Sequence, residues 1–461
     1  MPDEAALAGP PALKSKARSL RSAVLRAGGW TVLGHLSSVV LRLVTSLVMT
    51  RLLAPEIFGI MAIAMVIQVV VGLLTDVGIS QSIIHSKRGT EPLFLNTAWT
   101  IQTVRGALIW GVCLVAAAFI HVTASLGWAP PDSVYADPIL PYIVVAASFA
   151  AVISGFQSTK MSSANRELNL RRVVLVELCA QVVGVLVVVS MGWWTRSIWA
   201  FVVGALTSAA VGVSLSHIWL VGERNRFAWD KSAINEIFGY GRWILYSSVL
   251  TVAAMNSDRA LIGLWSNAAV LGKYSIALNL ASVAESLGLR LFGSVSMPVL
   301  SSIARNNPEQ FRRQYYRMRT PVDVVFMAMA GFVFAVGPAV IGLLYDDRYQ
   351  LSGPMLSILS FSLVFSRFSL AHNAYLALGK SEYLTVIALI KLASMLILVP
   401  VLYVTHGIMG AVAGVALHAA ATLPAVFWFN QKSGLNNLRF EILVLGAWPP
   451  GYALGYALAN L

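Results

Sequence analysis

The chain has 461 residues, of which 57% are hydrophobic and only 11% charged, and its mean hydropathy is +0.74. Soluble domains carry about 25% charged residues, so a soluble fold could not hide this much apolar surface and the chain reads as a polytopic membrane protein. The formal charge of +13 does not argue for nucleic acid in such a chain, because excess Lys and Arg mark loops facing the cytoplasm.

Residues 1–29 form a basic tail with Lys14, Lys16, Arg18, Arg21 and Arg26. The tail lacks a continuous apolar core and an evident cleavage site, so it reads as a segment lying on anionic headgroups and not as a secretory signal. Apolar blocks of about 20 residues follow, the length that crosses a hydrocarbon core of about 30 Å as a helix. They fall at 30–50, 57–79, 97–120, 139–157, 173–191 and 197–219. Segments such as 173–191 are apolar on all sides, which excludes the alternating strands of a barrel.

A polar cytoplasmic linker at 223–242 holds Arg224, Arg226, Asp230, Lys231 and Glu236. Six more spans are expected at 243–264, 274–295, 321–343, 355–376, 384–404 and 407–429. The expected fold is therefore an all-α integral membrane protein of about 12 transmembrane helices in two six-helix lobes, 30–222 and 243–430. The tail 431–461 holds one more apolar stretch, interrupted by Pro449 and Pro450. Proline breaks a helix interior, which leaves open a thirteenth span, a re-entrant piece or an interfacial helix.

One face of this layout collects 23 of the 33 Lys and Arg, and the opposite loops hold only Arg51, Arg196, Lys273 and Arg348. That bias places the N-terminus in the cytoplasm. The longest outer loop, 121–138, has no Lys or Arg and leaves no room for a catalytic domain, so the chain is expected to be a transporter and not an enzyme. Cys113 and Cys179 sit inside apolar spans and read as small buried hydrophobes, with neither disulfide nor metal site. A faint repeat at an offset of 213 residues pairs Gly28 with Gly241, Trp30 with Trp243, Gly59 with Gly272 and Ile63 with Ile276. Two halves that start on the same side relate by an axis along the membrane normal, an arrangement that encloses a central cavity.

Charged groups at bilayer depth cost at least about 2.5 to 3.5 kcal/mol and usually face a cavity or a partner. Arg42, Arg105, Glu285, Arg367 and Lys391 are the deepest, whereas Asp76 lies near a span end. The first span also sets His35, Ser38, Arg42 and Thr45 on one helical face. Spans 8 and 10 carry similar stripes, Ser275, Asn279, Ser282, Ser286 and Ser362, Ser366, Ser369, Asn373. Such hydroxyls also serve as interhelical hydrogen-bond glue in any bundle. Asp258 and Arg259 are sequence neighbours about 100° apart, so each looks toward a different helix or the cavity. A cationic lining suits a phosphate or diphosphate, which Arg binds bidentately. Arg42, Arg105, Arg259, Arg367, Lys391 and His35 are therefore the candidate substrate-binding residues, and Asp258, Glu285 and Asp76 the candidates for coupling to a proton or sodium gradient. No nucleotide or metal-ligand signature accompanies them.

Three segments, TRLLAPEIFGIMAIA (50–64), LNTAWTIQTVRG (95–106) and DRALIGLWSNAAVLGKYSIA (258–277), together resemble the polysaccharide transporter family of Wzx-type oligosaccharide flippases. This family lies within the multidrug/oligosaccharidyl-lipid/polysaccharide exporter (MOP) superfamily. The LNTAWT run looks most like the subgroup that includes the colanic acid exporter WzxC. The resemblance implies a MATE-like pair of lobes around a cavity that opens alternately to each side. Its implied substrate is an undecaprenyl-diphosphate-linked oligosaccharide, moved across the bacterial inner membrane for exopolysaccharide or surface polysaccharide. A polymerase and an export complex are the implied partners, alongside membrane lipid. The alternatives are a cation-coupled drug exporter or peptidoglycan lipid flippase of the same superfamily, and an integral membrane polymerase or ligase, which would want a large catalytic loop.

Overall fold

The computed structural model describes residues 11–167, 169–380 and 382–460, with side chains described except at 11–27, 240–255, 287–295 and 297–298. The expectation for Lys14 to Arg26 therefore lies outside the described side chains. The described chain is all-helical: α1 Pro11–Leu52, α2 Pro55–Leu74, α3 Ile79–His85, α4 Pro92–Ser125, α5 Leu140–Gly155, α6 Lys160–Arg166, α7 Leu170–Thr195, α8 Trp199–Ile218 and α9 Lys231–Trp265. There follow α10 Ala268–Asn306, α11 Phe311–Leu344, α12 Ser352–Leu359, α13 Phe361–Ser366, α14 Ser369–Ala377, α15 Glu382–Leu417, α16 Leu423–Lys432, α17 Leu438–Leu445 and α18 Trp448–Ala459. Among the described residues, nine helical segments are long and apolar enough to cross a membrane, ten when the bent pair α5–α6 counts as one span.

Several expected rods are broken, because hydropathy registers apolar surface and not backbone shape. The second span ends at Leu74 and restarts as α3 after Gly78, whose φ of 62° lies in the left-handed region that glycine adopts without strain. The fourth turns by 65° between α5 and α6. The tenth is three short helices, where the Ser357 hydroxyl donates to the Phe334 carbonyl (2.8 Å) and the Ser360 hydroxyl to the Ser357 carbonyl (2.6 Å). A serine hydroxyl that binds the carbonyl of the preceding turn, as Ser360 does, bends its helix.

The run Glu382–Lys432 has 51 residues, which as one straight helix would measure about 75 Å, more than twice a hydrocarbon core. Gly407, at φ 61° and ψ −149°, folds it back on itself. Gly410 then lies against the Leu402 carbonyl and Gly414 against Val399, so 382–406 and 408–432 are antiparallel spans with no loop between them. At the C-terminus, Pro449 and Pro450 open α18; there a proline forfeits no intrahelical hydrogen bond. Leu438–Ala459 is thus a membrane-length segment of the bundle. It seats on α11 through Gly451 against the Ala328 carbonyl, Gly455 against that of Phe332 and Gly331 against that of Trp448.

The chain divides into two compact units. Unit 1 comprises Met1–Met49, Val71–Val115 and Val144–Tyr246, and unit 2 Thr50–Val70, Ala116–Ile143 and Ser247–Leu461. In unit 1, α7 and α8 approach through Gly184, Gly204 and Ser208, and Gly34 seats α1 on Val174 of α7. Small residues at such crossings let backbones pack closely where lipid offers no hydrophobic drive. Ile79, Ile83, Phe94, Leu95, Ala98 and Ile101 form a core with Ala233 and Ile237, which ties the start of α9 to α3 and α4. Arg166 fastens the end of α3 by donating to the carbonyls of Ile83 (2.7 Å) and Ser86 (2.6 Å).

In unit 2, the first turns of α2 and α10 cross at two glycines. A Cβ on Gly59 would strike the Ala268 carbonyl, and one on Gly272 would strike that of Pro55. The offset of 213 carries Pro55 onto Ala268 and Gly59 onto Gly272, so the repeat exchanges these two contacts with each other. Two of the segments that carry the family resemblance are therefore symmetry mates packed face to face.

Candidate functional site

In unit 1, the stripe on α1 is built as its spacing dictates. Gln181 of α7 donates to the Ser38 carbonyl (3.2 Å), and the Thr45 hydroxyl donates to the Leu41 carbonyl (2.6 Å). His35 is half-buried and Arg42 is exposed. Arg42 occupies the middle of the 25-residue segment Gly28–Leu52, about 15 Å or more from either end by helical rise. A guanidinium cannot snorkel that far, so an exposed one at this depth requires a water-filled cavity or a bound partner.

Arg105, on α4, reaches the end of α2. Its Nη2 donates to the Gly72 carbonyl (2.8 Å), its Nε to the Thr75 hydroxyl (3.4 Å), and its Nη1 lies 3.5 Å from Asp76 Oδ1. Gly72 is one of the last four residues of α2, whose carbonyls lack intrahelical partners, so Arg105 caps the helix that breaks there. Both side chains of the pair remain partly exposed, at 25% and 21%. The fork therefore has donors left for an anion. Asp76 itself accepts from the Gly78 backbone (3.1 Å) across the break.

Unit 2 holds the remaining candidates. Asp258 is buried and accepts from the Tyr274 hydroxyl of α10 (2.6 Å), while Arg259 beside it is half-exposed. The other Asp258 oxygen is buried with no hydrogen-bond partner among the described residues. Glu285 accepts from the Ser366 hydroxyl and lies within electrostatic range of Lys391, as do His372 and His418.

Arg367 departs from the cationic lining expected of it. It is 4% exposed, with Nη1 3.0 Å from Glu441 Oε2 and 3.6 Å from Asp323 Oδ2. The same carboxylates hold Arg319, whose Nε is 2.8 Å from Asp323 and whose Nη1 and Nη2 bind Glu441 bidentately at 2.6 and 3.0 Å. Phe368 packs against both guanidinium groups, at 4.5 and 5.0 Å to its ring centroid. Two cations and two anions make a neutral buried knot joining α11, the α13–α14 corner and α17. A bare Arg367 would carry the cost of an unpaired buried charge, and the knot removes it.

The structure therefore brings Arg105 together with Asp76, Glu285 with Ser366, and Asp258 with Tyr274. Arg319 and Glu441 escape sequence reasoning because the charge count assigns Arg319 to a cytoplasmic loop. The available signal was Asp323 four residues after Arg319, the spacing of a helical ion pair. Nothing in the sequence announces Glu441, 122 positions away.

A family model described as "Polysaccharide biosynthesis protein" matches residues 48–353. The chain is 23% identical over 344 residues to the lipopolysaccharide biosynthesis protein WzxC of Escherichia coli K12, covering 74% of this chain and 67% of that one. It is 21% identical over 342 residues to the succinoglycan biosynthesis transport protein ExoT of Rhizobium meliloti, covering 74% and 66%. Among solved structures, an inward-facing multidrug resistance MATE family transporter of the MOP superfamily superposes with a TM-score of 0.64 at 14% identity, over 85% of this chain and 94% of that one. The lipid II flippase MurJ, inward closed, gives 0.62 at 13%, over 93% and 98%. These two likenesses establish a MOP-type fold, and with the match across two thirds of its length the chain belongs to the polysaccharide biosynthesis protein family.

Proposed function

We propose that the chain is a flippase that moves an undecaprenyl-diphosphate-linked oligosaccharide repeat unit from the cytoplasmic to the periplasmic leaflet of the bacterial inner membrane, by alternating access, for exopolysaccharide or surface polysaccharide synthesis. The observation that carries this reading is Arg42, an exposed guanidinium at mid-membrane depth on a polar stripe. A diphosphate is the anion such a group holds best, because two parallel N–H···O bonds fit its oxygens. Arg105, with donors to spare, supplies a second contact of the same kind in the same unit. The names of the relatives WzxC and ExoT support a polysaccharide substrate.

Asp258, Glu285 and Asp76 are the groups through which a proton or sodium gradient would drive the cycle. Asp258 is the best placed of these, with one carboxylate oxygen buried and free of hydrogen bonds among the described residues. The N-terminus lies in the cytoplasm on this reading, and a polymerase and an export complex receive the product.

The test is a deletion strain complemented with the intact gene or with Arg42→Ala. Loss of surface polysaccharide with unpolymerised lipid-linked intermediate retained on the cytoplasmic side, restored by the intact gene only, is the expected result. Unchanged polysaccharide with altered drug sensitivity would transfer the reading to a drug exporter, and arrested peptidoglycan synthesis to a peptidoglycan lipid flippase.

A further inference from the structure

The run LNTAWT at 95–100 has a structural task that its sequence does not announce. The linker after α8 forms no helix until Lys231, and it lies across the first turns of α4. Three alternate backbone N–H groups donate to three α4 side chains: Arg226 to Asn96 Oδ1 (3.0 Å), Ala228 to Thr100 Oγ1 (3.1 Å) and Asp230 to Thr97 Oγ1 (3.2 Å). Each threonine spends its own proton on α4, Thr97 on the Leu93 carbonyl and Thr100 on the Asn96 carbonyl, both at 2.9 Å. Their oxygens are thereby fixed as acceptors facing the linker. Between these bonds Trp99 packs on Phe227 at 4.8 Å between centroids, its own N–H held by the Phe156 carbonyl (3.2 Å).

Both ends of this strap are tied down as well. Asn225 exchanges hydrogen bonds with Ser158 (2.7 Å) and Thr159 (2.6 Å). Asp230 accepts from the backbone of Ser232 and Ala233 at the start of α9 and pairs with Arg88 at 3.0 Å. Ser86 donates to Glu236 one turn further on (2.6 Å). Phe227 remains 67% exposed, so directed bonds, and not burial, hold the strap. The helix it delivers, α9, belongs to unit 1 up to Tyr246 and to unit 2 from Ser247, with Asp258 and Arg259 on the second part.

We propose that Asn96, Thr97, Trp99 and Thr100 form a latch that keeps the strap and the first turns of α9 seated on unit 1 throughout the transport cycle. They are positioning residues, and this inference rests on the transporter reading above. A latch that stays closed predicts two results, and its seating can be read without transport.

The full-length protein in membranes, with Cys113 and Cys179 changed to alanine, would carry Ala228→Cys as a reporter of strap seating. Thr97→Val with Thr100→Val keeps side-chain shape but removes both acceptors. Maleimide labelling of residue 228 should accelerate 10-fold or more and polysaccharide restoration should fall several-fold at unchanged protein level. Thr→Ser at both sites should restore parental labelling and restoration. A Thr100→Cys/Ala228→Cys pair, oxidised to a disulfide, should transport as well as its reduced form. Transport abolished by that disulfide and recovered on reduction would show a strap that must open, and overturn the proposal. Parental transport by a freely labelled strap would overturn it equally. If the valine pair does not accumulate, the disulfide pair decides alone. A failure of the flippase reading would appear in the deletion strain and leave the labelling ratio unchanged.

Discussion

Arg42 and Arg367 are both arginines deep in apolar segments, and the molecule treats them oppositely. Arg42 in unit 1 is exposed at mid-span with no carboxylate pair described for it, whereas Arg367 in unit 2 is buried against Glu441 and Asp323 beside a second arginine. The contrast separates two reasons for keeping a costly charge in a membrane. A charge neutralised on all sides holds helices together, and a charge left open to water is available to a ligand.

The largest effect should come from opening the buried knot. Glu441→Gln leaves two guanidinium groups sharing one carboxylate, and breaking a buried pair costs about 3–5 kcal/mol. The variant should therefore lose most folded protein, read as membrane level and as thermal aggregation in detergent. Arg42→Ala should give the inverse pattern, with parental level and melting but transport reduced 10-fold or more. Parental transport with Arg42→Ala would remove the open arginine from the substrate path and collapse the contrast.

A smaller effect is expected at the symmetric crossing in unit 2. Gly272→Val drives side-chain atoms into the Pro55 carbonyl, and overpacking of this kind costs about 1–3 kcal/mol. Gly59→Val should cost about as much, because the two glycines meet equivalent carbonyls, those of Ala268 and Pro55, across the same crossing. Melting of both purified variants checks this, and unequal losses would break the symmetry argument.

The mildest prediction concerns acid. The Ser232 hydroxyl and Arg88 hold the Asp230 carboxyl down at about 2, below the value of about 3.9 for a free aspartate. A depressed folded-state value stabilises the folded form above the unfolded value, and the contribution disappears as pH falls through about 2. Strap seating should thus be constant from pH 7 to about 5 and loosen only in stronger acid, measured by protease cleavage at 224–230. Asp230→Asn should abolish that dependence.

Much of this organisation was legible in the sequence, for identifiable reasons. Spans announce themselves because the lipid-facing surface of a membrane helix must be apolar over about 20 residues, and the Arg42 stripe follows from helical spacing. The breaks at Gly78 and Ser360 were hidden, since backbone conformation leaves hydropathy unchanged, whereas the turn at Gly407 falls at the gap between the expected spans 384–404 and 407–429. The knot was hidden because its partners lie on three separated segments. The recognition motifs mix architecture with chemistry, since 95–106 also holds Arg105 and 258–277 opens on Asp258. The segments 50–64 and 258–277 carry a helix crossing and 95–100 carries a latch, while the exposed Arg42 lies outside all three.

The strap has a consequence for how the chain can be divided. Everything that docks residues 225–236 on the first half is a non-covalent bond made by side chains of that half. A gene split between Gly222 and Glu223 would leave the second fragment with its own recognition handle, a peptide of defined register that reads Asn96, Thr97 and Thr100 on the first. Co-expressed halves should therefore find one another in the membrane, and the fragment lacking residues 223–230 should not.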